Sequence, residues 1–147
     1  MRDLKSLKEA TFVARSFHGL PYKWGGDDPM RGFDCSGFIV EILKSVGYIN
    51  RTSDYTAQGF YNMYLDNSFS IAEEGMLVFW RRSKPKLPPY KIIHIEYCLD
   101  SILAIGASGG GGRTITEQDA VEQNAYIKIR PFNSRKNAAG ILDPFLL

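Results

Sequence analysis

The 147-residue chain contains only two cysteines and two histidines. Cys35 and Cys98 are too few for a disulfide framework or a cysteine-based zinc site, although one bridge between them is possible. His18 and His94 are also far apart in the sequence, so the chain offers no cluster of metal ligands. We therefore expect neither a metal ion nor a cofactor, and we expect Cys98, in an apolar segment, to be an inert core residue.

The sequence is also poor in net charge and in long hydrophobic runs. Eighteen lysines and arginines stand against sixteen acidic residues, and both signs are scattered along the chain, whereas nucleic-acid-binding proteins normally concentrate basic residues. No window approaches the ~18 apolar residues of a membrane span. The charged residues 1–17 lack the apolar stretch of a secretory signal. We expect a protein made in the cytoplasm, with neither nucleic acid nor a membrane as its partner.

The spacing of apolar residues predicts helices first and strands afterwards, within a single domain over residues 1–147. Steps of three and four residues indicate two long helices, a third one capped by Ser53, and a short one capped by Thr116. The predicted helices cover residues 3–18, 35–46, 53–65 and 116–124. Short apolar or alternating runs predict strands. The predicted strands cover residues 76–80, 92–99, 102–107, 126–130 and 140–142. This order predicts an α+β domain with a mainly antiparallel sheet.

Cys35 is the candidate nucleophile. It lies where a turn-rich loop, residues 24–29, leads into a predicted helix, so the helix dipole and unpaired N–H groups face its sulfur. This environment lowers the pKa of a thiol, and the same N–H groups could hold the oxyanion that forms when a carbonyl is attacked. Asp34 and Ser36 flank the sulfur, and each could cap the helix or meet a positively charged group of a substrate.

A nucleophilic thiol needs a base within hydrogen-bonding reach, and the chain has two candidates. His18 ends the first predicted helix, where a cation complements the dipole, so a structural role suits it better. His94 begins a strand that is expected to pack against the helix of Cys35. Position alone favours a half-buried sheet histidine, but the pairing with Cys35 makes His94 the candidate base.

Two motifs give the sequence a specific resemblance. Residues 21–26 read Pro-Tyr-Lys-Trp-Gly-Gly, and residues 32–38 read Gly-Phe-Asp-Cys-Ser-Gly-Phe. A Gly-Met-Leu-Val-Phe-Trp strand at residues 75–80 and a His-Ile-Glu-Tyr strand at residues 94–97 follow. This order resembles the NlpC/P60 family of cell-wall cysteine peptidases, with Met76 in place of the family's aspartate in the third motif. The resemblance covers roughly residues 10–110.

The resemblance implies a papain-like fold, with the N-terminal helices packed on the sheet. It also implies a cysteine peptidase that hydrolyses γ-D-glutamyl-diaminopimelate or similar bonds in peptidoglycan stem peptides. By the same resemblance, Tyr22 approaches Cys35, while Asp34 and Ser36 help to hold the free amino end of the stem peptide. A purely structural interpretation instead makes Tyr22 and Trp24 part of the aromatic core.

The third catalytic residue departs from the family pattern. The family usually places a polar residue, often histidine, on the strand after the catalytic histidine, where it orients the imidazole. The matching position here is near Gly106, which has no side chain. Glu96 shares a strand face with His94 by alternation, and Gly106 opposite would leave it room. We select Glu96; Ser108, a backbone carbonyl or a water molecule are alternatives, and a substrate-facing role for Glu96 is an equally good interpretation.

Three classes of function remain open. The main expectation is a peptidoglycan endopeptidase. The sequence shows neither a signal peptide nor a repeat-type wall-binding module, so this enzyme is expected to be carried by a phage virion, to contact phage tail proteins and to reach the wall with the particle. Residues 106–110 and 140–144 also look similar to phage-encoded members. An intracellular enzyme that recycles wall peptides is the nearest rival. The second class is a papain-like amidase or acyltransferase with the same Cys–His pair. Gly106 favours the third class, a non-catalytic domain that binds wall peptide or assembles within a particle.

Overall fold

A computed structural model describes residues 1–28 and 32–147, and these form an α+β arrangement. The helices are α1 (Leu4–Ser16), α2 (Cys35–Ser45), α3 (Ala57–Tyr64) and α4 (Glu117–Glu122). The strands are β1 (Asp27–Asp28), β2 (Gly32–Phe33), β3 (Ser68–Phe69), β4 (Leu77–Arg81), β5 (Ile92–Cys98), β6 (Leu103–Ser108), β7 (Tyr126–Pro131) and β8 (Ala138–Leu142). A short 3₁₀ turn, Phe132–Ser134, links β7 to β8.

The main sheet has six strands in the order β3-β8-β4-β5-β6-β7, and every neighbouring pair is antiparallel. Strands β4 and β5 lie near its centre, where both faces are covered. Ile95 and Tyr97 of β5 pack into the core that the sheet forms with α1, α2 and α3. By alternation His94 and Glu96 point to the other face, together with Cys98. The predicted α+β class, with N-terminal helices on an antiparallel sheet, is confirmed.

Helix α2 is the element that places the candidate nucleophile. Asp34 caps it, because the Asp34 carboxylate accepts a hydrogen bond from the Gly37 N–H at 2.7 Å. Phe38, Ile42 and their apolar neighbours in the helix are fully buried, so the helix is fixed beneath the sheet along most of its length. The chain leaves the helix through Gly47, whose φ of 76° is in the left-handed region that glycine adopts readily.

The predicted cap of the third helix is wrong. The Thr56 side chain accepts a hydrogen bond from the Gly59 N–H at 3.0 Å, so the helix begins at Ala57. Ser53 instead lies in a turn, where its N–H bonds the Asn50 carbonyl at 2.9 Å. Serine and threonine are comparable caps, and the turn that begins at Asn50 decides between them. The predicted cap of α4, Thr116, is confirmed by its bond from the Asp119 N–H.

The predicted loop over residues 24–29 contains a short strand. Asp27 pairs with Phe33 and Asp28 pairs with Gly32, so β1 and β2 form a small hairpin. Pro29, which was part of that predicted loop, lies outside the described residues. Because α2 contacts β1 and β2, the hairpin fixes the chain that leads into α2.

Two residues near the ends of the chain form an ion pair whose carboxylate is buried. The Arg2 guanidinium lies 2.6 Å from the Asp143 carboxylate and also donates to the Glu74 carbonyl at 2.8 Å. Asp143 is completely buried and accepts a further hydrogen bond from the Phe145 N–H.

Among the described residues, none of the helices combines the length and the apolar character needed to cross a bilayer.

Candidate active site

Cys35 and His94 line the same cleft, a cavity of about 870 Å³ between α2, α3 and the ends of the central strands. Five of the six site residues selected from the sequence are part of its lining. These are Tyr22, Asp34, Cys35, Ser36 and His94. Glu96 lies two residues further along β5, where it is hydrogen-bonded to His94 and is not part of the lining. The second candidate histidine, His18, is exposed and is not part of the lining.

An opening in the sheet brings the helix to the histidine strand. Strands β5 and β6 pair at Tyr97–Ile105 and Cys98–Ala104, whereas in the described part of the chain residues 94–96 pair with β4 alone. The backbone N–H of Ile95 acts on the Cys35 thiol and lowers its pKa. The first residue of α2 therefore lies close to the strand that carries His94.

The Cys35 thiol is less acidic than an ordinary thiol. Burial raises its pKa to about 11, and the nearby Asp34 carboxylate adds to the rise. The N–H groups of Ile95 and Ser36 and the positive charge of Arg135 act in the opposite direction but do not outweigh burial. The lowered pKa expected from the helix terminus is therefore wrong for the resting protein. Loss of hydration in the cleft outweighs the N–H groups that favour the thiolate.

His94 and Glu96 form a buried hydrogen-bonded pair. The distance between His94 Nε2 and Glu96 Oε2 is 2.6 Å, and the two residues are only 5% and 3% exposed. Since a carboxylate accepts and does not donate, the Nε2–H of the neutral ring is the donor, which leaves Nδ1 with a free lone pair. Burial lowers the pKa of His94 while Glu96 opposes this effect, so the ring is neutral at neutral pH. The Trp80 ring packs beside the imidazole, with 5.2 Å between centroids.

Gly106 provides the space that Glu96 occupies. A Cβ at position 106 would overlap Glu96 Cγ and lie 2.9 Å from its carboxyl carbon. Ser108, the alternative partner considered for the imidazole, instead accepts a hydrogen bond from Arg130 Nη2 at 2.8 Å. Of the two side chains, Glu96 is the one that bonds His94.

The residues expected to hold the amino end of a substrate have structural partners of their own. Asp34 accepts hydrogen bonds from the N–H groups of Gly37 and Gly25, at 2.7 and 3.0 Å, so it joins the helix cap to the preceding loop. Burial raises the pKa of Asp34, and these bonds oppose the rise. The Ser36 hydroxyl lies 3.4 Å from the same carboxylate, a long and weak contact.

The two aromatic residues of the first motif differ in burial. Tyr22 is buried and still contacts the cleft, and burial, followed by the charge of Cys35, raises the pKa of its phenol. Its ring packs against the backbone of Gly110, where an added Cβ would overlap it. Trp24 is 57% exposed at the rim of the cleft, so its interpretation as a core residue is wrong.

Two residues of the cleft carried no signal in the sequence. Arg130 lies in β7, and Arg135 follows the 3₁₀ turn after that strand. The Arg135 guanidinium is 5.6 Å from the centroid of the Trp80 ring, and the Trp80 indole N–H donates to the Arg135 carbonyl at 3.3 Å. The pairing of β7 with β6 brings Arg130 to the site, and the packing of the connection between β7 and β8 brings Arg135 there.

The two cysteines are both free thiols, so no bridge joins them. Cys98 is fully buried and burial raises its pKa to about 12, as expected for an unreactive core thiol. In the part of the chain that the structure describes, no three His, Cys, Asp or Glu side chains come together as a metal site.

Comparison with known proteins agrees with this geometry. The model of the NlpC/P60 family matches residues 19–129. The bifunctional muramidase/DL-endopeptidase CwlT of Bacillus subtilis (strain 168) is 30% identical over 115 residues, which are 78% of this chain and 30% of the relative. The gamma-D-glutamyl-L-lysine dipeptidyl-peptidase of the same strain is 59% identical over 32 residues, 22% of this chain and 10% of that protein. The chain therefore spans less than a third of the length of either curated relative.

Solved structures show the same fold. A lipoprotein-like member of the NLP/P60 family from Staphylococcus aureus subsp. aureus Mu50 superposes with a TM-score of 0.72 at 21% identity. The match covers 99% of this chain and 43% of the other. At this level of identity the similarity shows a shared fold. The matches to the family model and to CwlT show common descent. Taken with the Cys35 and His94 motifs, they place the chain in the NlpC/P60 family.

Proposed function

We propose that this chain is a cysteine peptidase domain that hydrolyses amide bonds in peptidoglycan stem peptides. The observation that carries the proposal is the buried His94–Glu96 hydrogen bond at 2.6 Å, with His94 and Cys35 lining the same cleft. The relatives named above as a DL-endopeptidase and a gamma-D-glutamyl peptidase support γ-D-glutamyl bonds, such as γ-D-glutamyl-diaminopimelate, as the target.

In the proposed first step His94 acts as a general base. With the Nε2–H donated to Glu96, the lone pair on Nδ1 takes the proton of the Cys35 thiol as the sulfur attacks the scissile carbonyl. The raised pKa of Cys35 and the lowered pKa of His94 mean that both groups rest uncharged. The proton therefore moves during the attack, and the Glu96 carboxylate stabilises the imidazolium that results.

The start of α2 is proposed to stabilise the oxyanion. Asp34 accepts hydrogen bonds from two N–H groups of the first helical turn. Its carboxylate accepts from Gly37 and its carbonyl accepts from Phe38. The backbone N–H groups of Cys35 and Ser36 precede these bonds and lie at the positive end of the helix dipole. Such preorganised donors act most strongly where charge develops in a cleft that excludes water.

The second half of the reaction returns the protein to its starting state. The imidazolium of His94 gives its proton to the leaving amine, and the C–N bond breaks to leave a thioester on Cys35. Water then attacks the thioester carbonyl while His94 Nδ1 takes one of its protons. The thiolate leaves and regains that proton, and the peptide departs with a new carboxylate.

Tyr22, Asp34 and Ser36 are proposed to hold the free amino end of the stem peptide beside Cys35. All three line the cleft, and the Asp34 carboxylate supplies the negative charge that an ammonium group requires. Gly106, the residue that favoured a non-catalytic domain, contacts the orienting carboxylate instead of leaving a gap. The association with a phage particle and delivery to the wall stay predictions from the sequence.

Digestion of purified peptidoglycan tests the proposal. We expect the wild-type protein to release stem-peptide fragments whose masses identify the bond, and Cys35→Ala and His94→Ala to release none. Cys98→Ala is the matched control, since it removes the other thiol, which is fully buried and is not part of the cleft lining, and it is expected to retain release. If Cys35→Ala releases the same fragments as the wild type, the proposed mechanism is wrong. If the folded wild-type protein releases no fragments, the proposed function is wrong.

A further inference from the structure

Two arginines that the proposed reaction does not use lie in the wall of the cleft. Arg130 and Arg135 both contribute to its lining and both are partly buried. The family model ends at residue 129, so both arginines belong to the part of this chain that the family pattern does not describe. Their role has to be inferred from this chain's own contacts.

Neutral groups hold the two guanidinium groups in place. Arg130 Nη2 donates to the buried Ser108 hydroxyl at 2.8 Å. Arg135 lies over the Trp80 ring at 5.6 Å from its centroid, and the Trp80 indole N–H bonds the Arg135 carbonyl. These contacts orient both positive charges in the wall but do not neutralise either of them.

Among the described residues, neither arginine takes part in an ion pair; those found involve Arg2, Lys8 and His94. The carboxylate that attracts Arg135 is Glu96, and Glu96 is committed to His94 at 2.6 Å. Burial lowers the pKa of Arg135 and the charge of Arg130 lowers it further, so the cleft holds two cations close together. Partly buried cations without a counter-ion are unfavourable, and an anionic ligand would offset this.

We propose that Arg130 and Arg135 form a subsite for a free carboxylate of the stem peptide, next to the amide that Cys35 attacks. This inference rests on the proposed function and adds a substrate preference to it. A γ-linked glutamyl residue keeps its α-carboxylate, a short carbon chain away from the scissile carbonyl. Guanidinium groups match a carboxylate through paired N–H donors. The electrostatic interaction of Arg135 with both Cys35 and Tyr22 places its charge beside the reacting centre.

Two synthetic stem peptides provide the test, identical except that the glutamyl α-carboxylate of one is a carboxamide in the other. We expect the wild-type protein to cleave the carboxylate peptide with a kcat/KM roughly tenfold or more above that for the carboxamide, as a charge-assisted contact implies. Arg130→Gln and Arg135→Gln should each remove most of this preference. Both should lower kcat/KM for the carboxylate peptide by a larger factor than kcat/KM for the carboxamide peptide, so that the ratio of the two values falls toward one.

Arg51→Gln, which removes an exposed arginine outside the cleft, is the matched control and should keep the wild-type preference. Arg135→Lys retains the positive charge and is expected to keep part of the preference. Its partial preference would show that the effect of Arg135→Gln comes from the lost charge and not from a failure to fold. Equal kcat/KM of the wild type for the two peptides would overturn the proposal. Equal loss on both peptides in Arg135→Gln would also overturn it, because the arginine would then act on the thiol or the oxyanion.

If the wild-type protein cleaves neither peptide, the proposed function fails and the subsite is tested by binding. Calorimetric titration of Cys35→Ala with each peptide measures this directly. A Kd for the carboxylate peptide roughly tenfold or more below that for the carboxamide supports the subsite without any turnover. Equal affinity for the two peptides, or no binding of either, overturns it.

Discussion

At the scale of single residues, Glu96 and Gly106 depend on each other. The carboxylate reaches His94 Nε2 because the facing position on β6 has no side chain. The resemblance to the family leads one to expect a polar residue on that neighbouring strand. In this chain the partner of the imidazole lies on the strand of His94 itself, and the facing position on β6 is a glycine.

Gly106→Ala is therefore expected to lower kcat roughly 100-fold or more, close to the effect of Glu96→Ala, since general-base catalysis contributes about 10²–10⁴-fold. The added Cβ overlaps Glu96 Cγ and displaces the carboxylate from the imidazole. Steady-state kinetics on a stem peptide measures the loss. Gly112→Ala is the matched control, because its Cβ would meet no atom within 4 Å and its kcat should be unchanged. A fully active Gly106→Ala would contradict the orienting role of Glu96.

The reactivity of Cys35 should depend on pH in a direction that its surroundings determine. A pKa raised to about 11 keeps the thiol protonated at neutral pH, and the thiolate appears only as pH rises toward that value. Alkylation by iodoacetamide, followed by intact-mass measurement, should accelerate continuously up to pH 10. The unfolded chain, with an ordinary thiol pKa of about 8.5, should react faster at pH 8.5 than the folded protein. A rate that is already constant by pH 7 would instead show a resting thiolate.

At the scale of elements, the chain's local patterns predict what is built locally. Helix α2 and its Asp34 cap follow from the apolar steps of three and four residues and from one capping side chain. The shared face of His94 and Glu96 follows from strand alternation. These features can be predicted from neighbouring residues alone, or from neighbouring residues and one assumption about strand pairing.

Long-range packing decides the features that the sequence does not reveal. Arg130 reaches the cleft because β7 pairs with β6, and Arg135 reaches it because the connection after β7 packs against Trp80. The exposure of Trp24 and the raised pKa of Cys35 depend likewise on what the rest of the fold covers. Burial is a property of the whole molecule, and no local motif contains it.

The start of α3 gives an element-scale prediction. Thr56→Ala removes the side chain that caps the helix and should lower the free energy of unfolding by about 1 kcal/mol. Ser53→Ala, in the turn before the helix, should change it by less than about 0.5 kcal/mol. Urea unfolding followed by circular dichroism compares the two. The opposite order of effects would restore Ser53 as the cap.

At the scale of the whole molecule, the pair of Arg2 and Asp143 fastens the N-terminal segment to the C-terminal one. The Asp143 side chain is 0% exposed, so Arg2→Ala leaves a buried carboxylate without its counter-ion. We expect a loss of about 3 kcal/mol in the free energy of unfolding. Lys8→Ala is the control, since it breaks an equally short but mainly exposed pair with Glu74 and should cost less than about 1 kcal/mol. Equal losses in the two variants would show that Asp143 gains little from its partner.

The proposed mechanism requires that a stem peptide acylates Cys35, with His94 as the base. The intact mass of the protein, quenched in acid within the first turnover on a γ-D-glutamyl stem peptide, tests this step. We expect an added mass equal to the acyl half of the peptide, located on Cys35 after digestion and absent from Cys35→Ala. Cleavage of the peptide without an adduct, and at the same rate by Cys35→Ala, would contradict it.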